Sequence, residues 1–165
     1  MPEPDWAVDE VPSTADFEGF YRHNRVAITR AVVLVVGNPD LGREASDEAF
    51  TKALDKWGQV STYANPAGWV YRVALNWVRS RIRTRRREVR RSFVEPWYED
   101  RVPEPELLAA VEALPFKYRS VVVARFFLDW SIEQTAEALA IPEGTVKTLQ
   151  HRAVARLRTS LGRGA

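Results

Sequence analysis

Apolar residues in this chain recur at steps of three and four and nowhere alternate, so what it can fold into is set by helices and the breaks between them. Phe17, Phe20, Tyr21, Ile28, Ala31, Val32 and Val35 keep that spacing from Asp16 until Gly37-Asn38-Pro39 stops the run, which predicts a first long helix. Ala45, Ala49, Phe50, Ala53, Leu54 and Trp57 trace a second stripe that closes at Gly58. A third helix starts at Asn65-Pro66, where the asparagine side chain accepts from a free N–H of the first turn and proline gives up an N–H that has no partner anyway. It points Trp69, Val70, Val73, Trp77 and Ile82 inward and runs out into Arg79, Arg81, Arg83, Arg85, Arg86, Arg87, Arg90 and Arg91. Such a density of cations exceeds what solubility needs and points to a polyanion.

Periodicity fails between Ser92 and Pro105, where Pro96, Pro103 and Pro105 stand among Glu95, Glu99, Asp100 and Glu104; this reads as a flexible linker over 92–105. Beyond it, Leu107, Leu108, Val111 and Leu114 predict a short helix ended by Pro115, and Tyr118, Val121, Val122, Arg125 and Phe126 predict another. Ser131 and Gln134 form a capping box that opens a helix from Ile132 to Leu139. After Ala140-Ile141-Pro142, a last helix buries Val146, Leu149, Ala153, Leu157 and Leu161. Residues 1–15, with Pro2, Pro4 and Pro12 among acids, are expected to be a disordered acidic tail. The fold class is therefore all-α: two small helical domains, 16–91 and 106–165, joined by a flexible linker, the second containing a helix-turn-helix.

The chain's 165 residues suffice for two small domains, and its tryptophans help give each a core. Without cysteine it has no disulfide, thiolate metal site or cysteine nucleophile. His23 and His151 are isolated and there is no glycine-rich phosphate loop, so no catalytic residue, cofactor or metal is expected, and the protein is read as no enzyme. Lacking an apolar run of ~18 residues, and starting with acids, it is expected in the cytoplasm with no membrane insertion. The segment from Ser131 to Leu157 has the layout of a DNA-binding helix-turn-helix: a short capped helix, a tight turn, and a longer helix showing Thr145, Lys147, Thr148, His151 and Arg152 outward. Lysine and arginine suit phosphates or guanine edges, and threonine serves either.

Four stretches make the chain from Asp16 to Leu161 resemble the extracytoplasmic-function group of bacterial sigma-70 factors. They are Phe17-Glu18-Gly19-Phe20-Tyr21, then Asp47 to Leu54, then Asn65-Pro66-Ala67-Gly68-Trp69-Val70-Tyr71-Arg72-Val73-Ala74-Leu75-Asn76, and finally Ala113-Leu114-Pro115 through Pro142-Glu143-Gly144-Thr145-Val146-Lys147. The resemblance implies a factor that binds RNA polymerase core, at its beta-prime clamp helices and beta flap, and directs promoter-specific initiation. By that likeness Asp47, Glu48 and Lys52 meet the polymerase. Tyr63, Asn65, Arg72, Asn76, Arg79 and Arg83 melt and read the minus-ten element, with Tyr63 as the stacking aromatic and Trp69 and Trp77 left in the core. The outward residues of the last helix read the minus-thirty-five element, and an anti-sigma factor is a further partner.

Three positions depart from that family's pattern. Asp47 stands where glutamine is usual. Ala140 stands where the turn usually has glycine, at a position that often takes left-handed backbone, so the turn is expected to be strained or reshaped. Leu149 and Gln150 stand where arginine and leucine are frequent, which removes one expected DNA contact. Two other classes stay open on the residues alone. A stand-alone helix-turn-helix repressor or activator accounts for residues 106–165 but leaves the first domain without a task, and an enzyme lacks any cluster to work with.

Overall fold

The computed structural model describes residues 14–84 and 104–162, so the acidic tail up to residue 13, the arginine cluster from 85 onward and the linker residues 92–103 lie outside the described residues. Helix α1 (Thr14–Val36) ends where Gly37 turns with φ 73°, a left-handed conformation that glycine adopts freely. Helix α2 (Pro39–Asp55) follows at once, because Asn38 Oδ1 accepts from Leu41 N at 3.1 Å and Pro39 fills the first turn. The predicted stripe began at Ala45; the Asn-Pro start six residues earlier was the missed signal, and it is the same one that opens the third predicted helix. At Gly42 the two helices press together so closely that a Cβ would stand 2.7 Å from Val33 Cγ2. Alongside, Thr29 and Ser46 share a hydroxyl hydrogen bond of 2.7 Å.

The second stripe does not run unbroken to Gly58. It stops at Lys56, and Trp57–Val60 form a separate turn, α3. The cause is aromatic packing: Trp57 folds against Phe20 at 4.9 Å and edge-on to Phe17 at 5.4 Å. Leu54, predicted inward, is left 42% exposed. Helix α4 (Pro66–Thr84) starts as expected, with Asn65 Oδ1 accepting from Gly68 N at 3.0 Å. Its most buried residues are Val70, Tyr71, Ala74, Leu75 and Val78, while Trp69, Val73 and Trp77 are half-buried on the flank of the core and Ile82, in the last turn, is 36% exposed.

Helices α5 (Pro105–Glu112) and α6 (Phe116–Val122) flank Pro115, and α6 continues into a π turn over Val123–Phe127. Leu107 and Phe126, both read as inward, face solvent instead. Helix α7 (Ile132–Leu139) has the predicted bounds and both hydrogen bonds of its capping box, Gln134 N to Ser131 Oγ at 3.0 Å and Ser131 N to Gln134 Oε1 at 2.9 Å. Ala140 then takes φ 54°, ψ 45°, and α8 (Glu143–Gly162) follows. The turn therefore keeps its left-handed shape with alanine in it. Leu161, in the last turn of α8, is exposed rather than inward. The described residues contain no strand, and no helix among them is long and apolar enough to cross a membrane.

The two halves share apolar packing. Val123 and Ala124 of the π turn belong to the same buried cluster as Ile28, Val32, Val35, Phe50, Val70 and Tyr71, and Leu108, Phe116, Trp130 and Leu139 pack onto it. Two smaller clusters hold α8 in place: Leu114, Tyr118, Val122 and Ala153 in one, Val121, Ala136 and Val146 in the other.

Candidate nucleic-acid interface

Helix α8 is seated by Val146, Leu149, Ala153 and Leu157, at successive steps of three or four. Burying a side chain such as Val146 stabilises by about 2 kcal/mol, so the outward residues stand on a firmly held helix. Thr145, Lys147, Thr148, His151 and Arg152 are all exposed and share the arc opposite that seam. Thr148 Oγ1 donates to Gly144 O at 3.0 Å, which leaves its lone pairs outward. The α7-to-α8 turn is fixed at its start by Ile141 N, which donates to Ala136 O at 3.0 Å, and at its end by Pro142 O, which accepts from Thr145 N at 3.0 Å and Val146 N at 3.1 Å.

The residues that depart from the family pattern have structural work. Leu149 packs against both small clusters, so the helix needs an apolar residue there. Gln150 Oε1 accepts from Arg125 Nε at 2.8 Å, and the same guanidinium donates to the Trp130 carbonyl, tying α8 to the segment that leads into α7. From sequence Arg125 reads only as part of a helical stripe, and neither it nor Trp130 shows its partner, because the side chains that meet them arrive from twenty-five and fifty-nine positions away: Gln150 on Arg125, and Tyr71 on Trp130.

The first-half candidates fall on α4 and the loop before it. Arg72, Asn76 and Arg79 are spaced four and three apart on one side of α4, Asn76 and Arg79 being exposed and Arg72 half-buried. Arg83 continues that row, though its side chain lies outside the described residues. Tyr63 is half-buried in the loop. Asn65 is partly committed: its Oδ1 caps α4, while its Nδ2 is buried without a hydrogen-bond partner. Beyond these, the Arg79 guanidinium lies 4.7 Å over the ring of Phe116, and Arg72, Asn76 and Arg79 border a cleft whose far wall is Lys117, Ser120 and Leu139. Asp47, Glu48 and Lys52 are all exposed on α2.

Tyr71 is a residue that the sequence reading passed over. It is wholly buried, its OH donates to Ser120 O at 2.8 Å, and its ring meets Trp130 edge-on at 5.4 Å. Burial pushes its phenol pKa far above the ordinary tyrosine value. Its signal in the sequence was weak, since Tyr71 stands within a helix whose tryptophans dominate the apolar pattern.

This architecture and site define an all-α helix-turn-helix protein. A family model described as sigma-70, region 4, matches residues 105–157. The RNA polymerase sigma-E factor of Streptomyces antibioticus is 30% identical over 152 residues, covering 88% of this chain and 84% of its own. The ECF RNA polymerase sigma factor SigW of Bacillus subtilis is 30% identical over 147 residues, covering 77% of this chain and 79% of its own. Among solved structures, the sigma factor RpoE from Bartonella quintana, in complex with the anti-sigma factor NepR, superposes with a TM-score of 0.77 at 19% identity over 89% of this chain and 97% of its own, a likeness of fold. The chain belongs to the extracytoplasmic-function group of the sigma-70 family. It is a sigma factor of RNA polymerase, a transcription initiation factor.

Proposed function

We propose that the chain works as two lobes, 16–91 and 106–165, bridged by 92–105. The first lobe binds polymerase core through Asp47, Glu48 and Lys52 and takes up the melted minus-ten strand with Tyr63, Asn65, Arg72, Asn76, Arg79 and Arg83. Unpaired bases need an aromatic face and hydrogen bonds to their edges, and this set supplies both beside a row of cations. The second lobe reads the minus-thirty-five element with Thr145, Lys147, Thr148, His151 and Arg152. Each lobe binds DNA weakly alone, and joining them makes the second contact intramolecular. The beta-prime clamp helices and beta flap of the polymerase are the protein partners, an anti-sigma factor is the regulator, the cytoplasm is the site of action, and all bond chemistry is left to the polymerase.

The observation that carries this reading is the polar row on α8, exposed in full while the opposite seam is buried in two clusters. Promoter-specific run-off transcription with purified polymerase core tests it. The unsubstituted chain should initiate at a defined promoter, and Asp47→Lys with Glu48→Lys should reduce retention of core at least tenfold without changing helicity, since exposed carboxylates contribute little to stability. Unchanged retention would remove α2 from the polymerase interface.

A further inference from the structure

Where α4 meets α6, cations gather that no described carboxylate neutralises. Arg72 and Arg79, two turns apart on one side of α4, and Lys117, in the first turn of α6, line a single cleft of about 90 Å3 whose other walls include Leu75, Ile141 and Leu149. No aspartate or glutamate is among the lining residues. The ion pairs Arg22–Glu18 and Arg81–Glu44 lie elsewhere, and Arg72, Arg79 and Lys117 have no carboxylate partner among the described residues. The Arg79 guanidinium stands 4.7 Å over the Phe116 ring and the Lys117 ammonium 5.5 Å over the Tyr118 ring, contacts that use none of their N–H donors. Like charges collected in a partly enclosed, partly apolar cleft repel one another, and the repulsion is relieved by an anion from outside the chain.

We propose that this cleft is a binding site for a small phosphate-bearing anion, of the size of inorganic phosphate or pyrophosphate, held between α4 and α6. Each guanidinium offers paired N–H donors that match two phosphate oxygens, the ammonium adds a point charge, and the Asn76 side chain on the same lining adds an amide donor. Three positive charges suit a multiply charged phosphate better than the single charge of a carboxylate. Size restricts the ligand further. One water needs ~10 to 15 Å3, so the cleft admits an ion of several heavy atoms, but it falls well short of the ~300 Å3 or more that a drug-sized molecule fills. A nucleotide could enter only with its phosphates. The inference goes beyond the promoter reading, in which Lys117 has no part, and its ligand draws on both halves of the chain at once. An anion seated there therefore stabilises the folded protein in proportion to its occupancy.

Titration of the full chain with sodium pyrophosphate at constant ionic strength, followed by calorimetry and by thermal melting, tests the site. One ion should bind per chain, and a hundredfold excess over the dissociation constant should raise the melting midpoint by roughly 5 °C. Sodium chloride at the same ionic strength should not. Lys117→Ala, at an exposed position, should weaken pyrophosphate binding about tenfold with helicity unchanged, the loss expected for one charge-assisted contact. Lys117→Arg, which keeps the charge, should restore most of the affinity, and Arg72→Gln on the opposite wall should repeat the loss. An equal shift with chloride, or unchanged affinity in Lys117→Ala, overturns the site. A single-stranded oligonucleotide separates the two sources of phosphate: a small-ligand site leaves its affinity for Lys117→Ala within about twofold of the unsubstituted chain. A loss as large as that for pyrophosphate would assign the cleft to a nucleic-acid backbone and overturn the free-anion site.

Discussion

Lys147 and Arg152 are exposed five residues apart on α8, so they reach different parts of a groove, and their substitutions should differ in kind. An alanine at a phosphate contact lowers the salt slope of binding by ~1 for every sequence, whereas loss of a base contact costs ~1 to 3 kcal/mol and relaxes one promoter position. We expect Arg152→Ala to behave in the first way and Lys147→Ala in the second, as read by salt titrations against an intact and a scrambled upstream element. If both leave affinity within error, α8 is not the reader. Tyr71 carries a different prediction. In the unfolded chain its phenol titrates near pH ~10, whereas burial raises it in the folded protein. The raised value means that its contribution is complete below pH ~10 and is lost as pH climbs further, because the unfolded state releases the proton first. Denaturant midpoints measured from neutral pH upward should fall more steeply above that point for the natural chain than for Tyr71→Phe; parallel curves would show that the hydroxyl is not held.

At the scale of elements, α7 and α8 show what a sequence makes readable. Ser131 and Gln134 announce their capping box because both partners lie within four residues, and the bounds of α7 followed from them. Asn38-Pro39 is equally local, but it does two things at once, ending the run of α1 and capping the start of α2. The break at Lys56 was not local at all, since it depends on where Trp57 finds Phe17 and Phe20. The outward row of α8 was readable from the apolar seam behind it, whereas the cover over Arg72 and Arg79 comes from a segment more than thirty positions along the chain. The turn itself yields a stability prediction. Alanine in left-handed backbone costs roughly 1 to 2 kcal/mol that glycine does not incur, partly offset by the greater freedom of glycine when unfolded. Ala140→Gly should therefore raise stability by about 0.5 to 1 kcal/mol in denaturant titrations, and a destabilised variant would mean that the Cβ of Ala140 packs usefully.

For the molecule as a whole, a core that includes Ile28 and Val70 from one half and Val123 and Ala124 from the other couples the halves in unfolding. Calorimetry of the free chain should show one transition whose van't Hoff and calorimetric enthalpies agree. Two resolved transitions would mean that the halves melt independently and that the seam contributes little. Such coupling bears on any state in which the halves stand apart: the contacts that hold α7 on α4 are given up there, so affinity for a ligand that needs the halves apart is reduced by the share of molecules in which they touch.

The π turn at Val123–Phe127 gives this arrangement a particular vulnerability. A π turn holds one residue more than the α-helix it interrupts, and each residue of an α-helix turns the chain by about 100°. Upstream of it, Tyr118, Val121 and Val122 serve the clusters that seat α8; within and beyond it, Val123, Ala124 and Trp130 face the other half. The extra residue is thus a phase step that lets one short stretch of chain address two partners in different directions. Counting, rather than chemistry, is what this segment must conserve: a swap of one apolar residue for another leaves both directions intact, whereas the loss of a single codon would rotate Trp130 away from Tyr71 while leaving composition almost untouched.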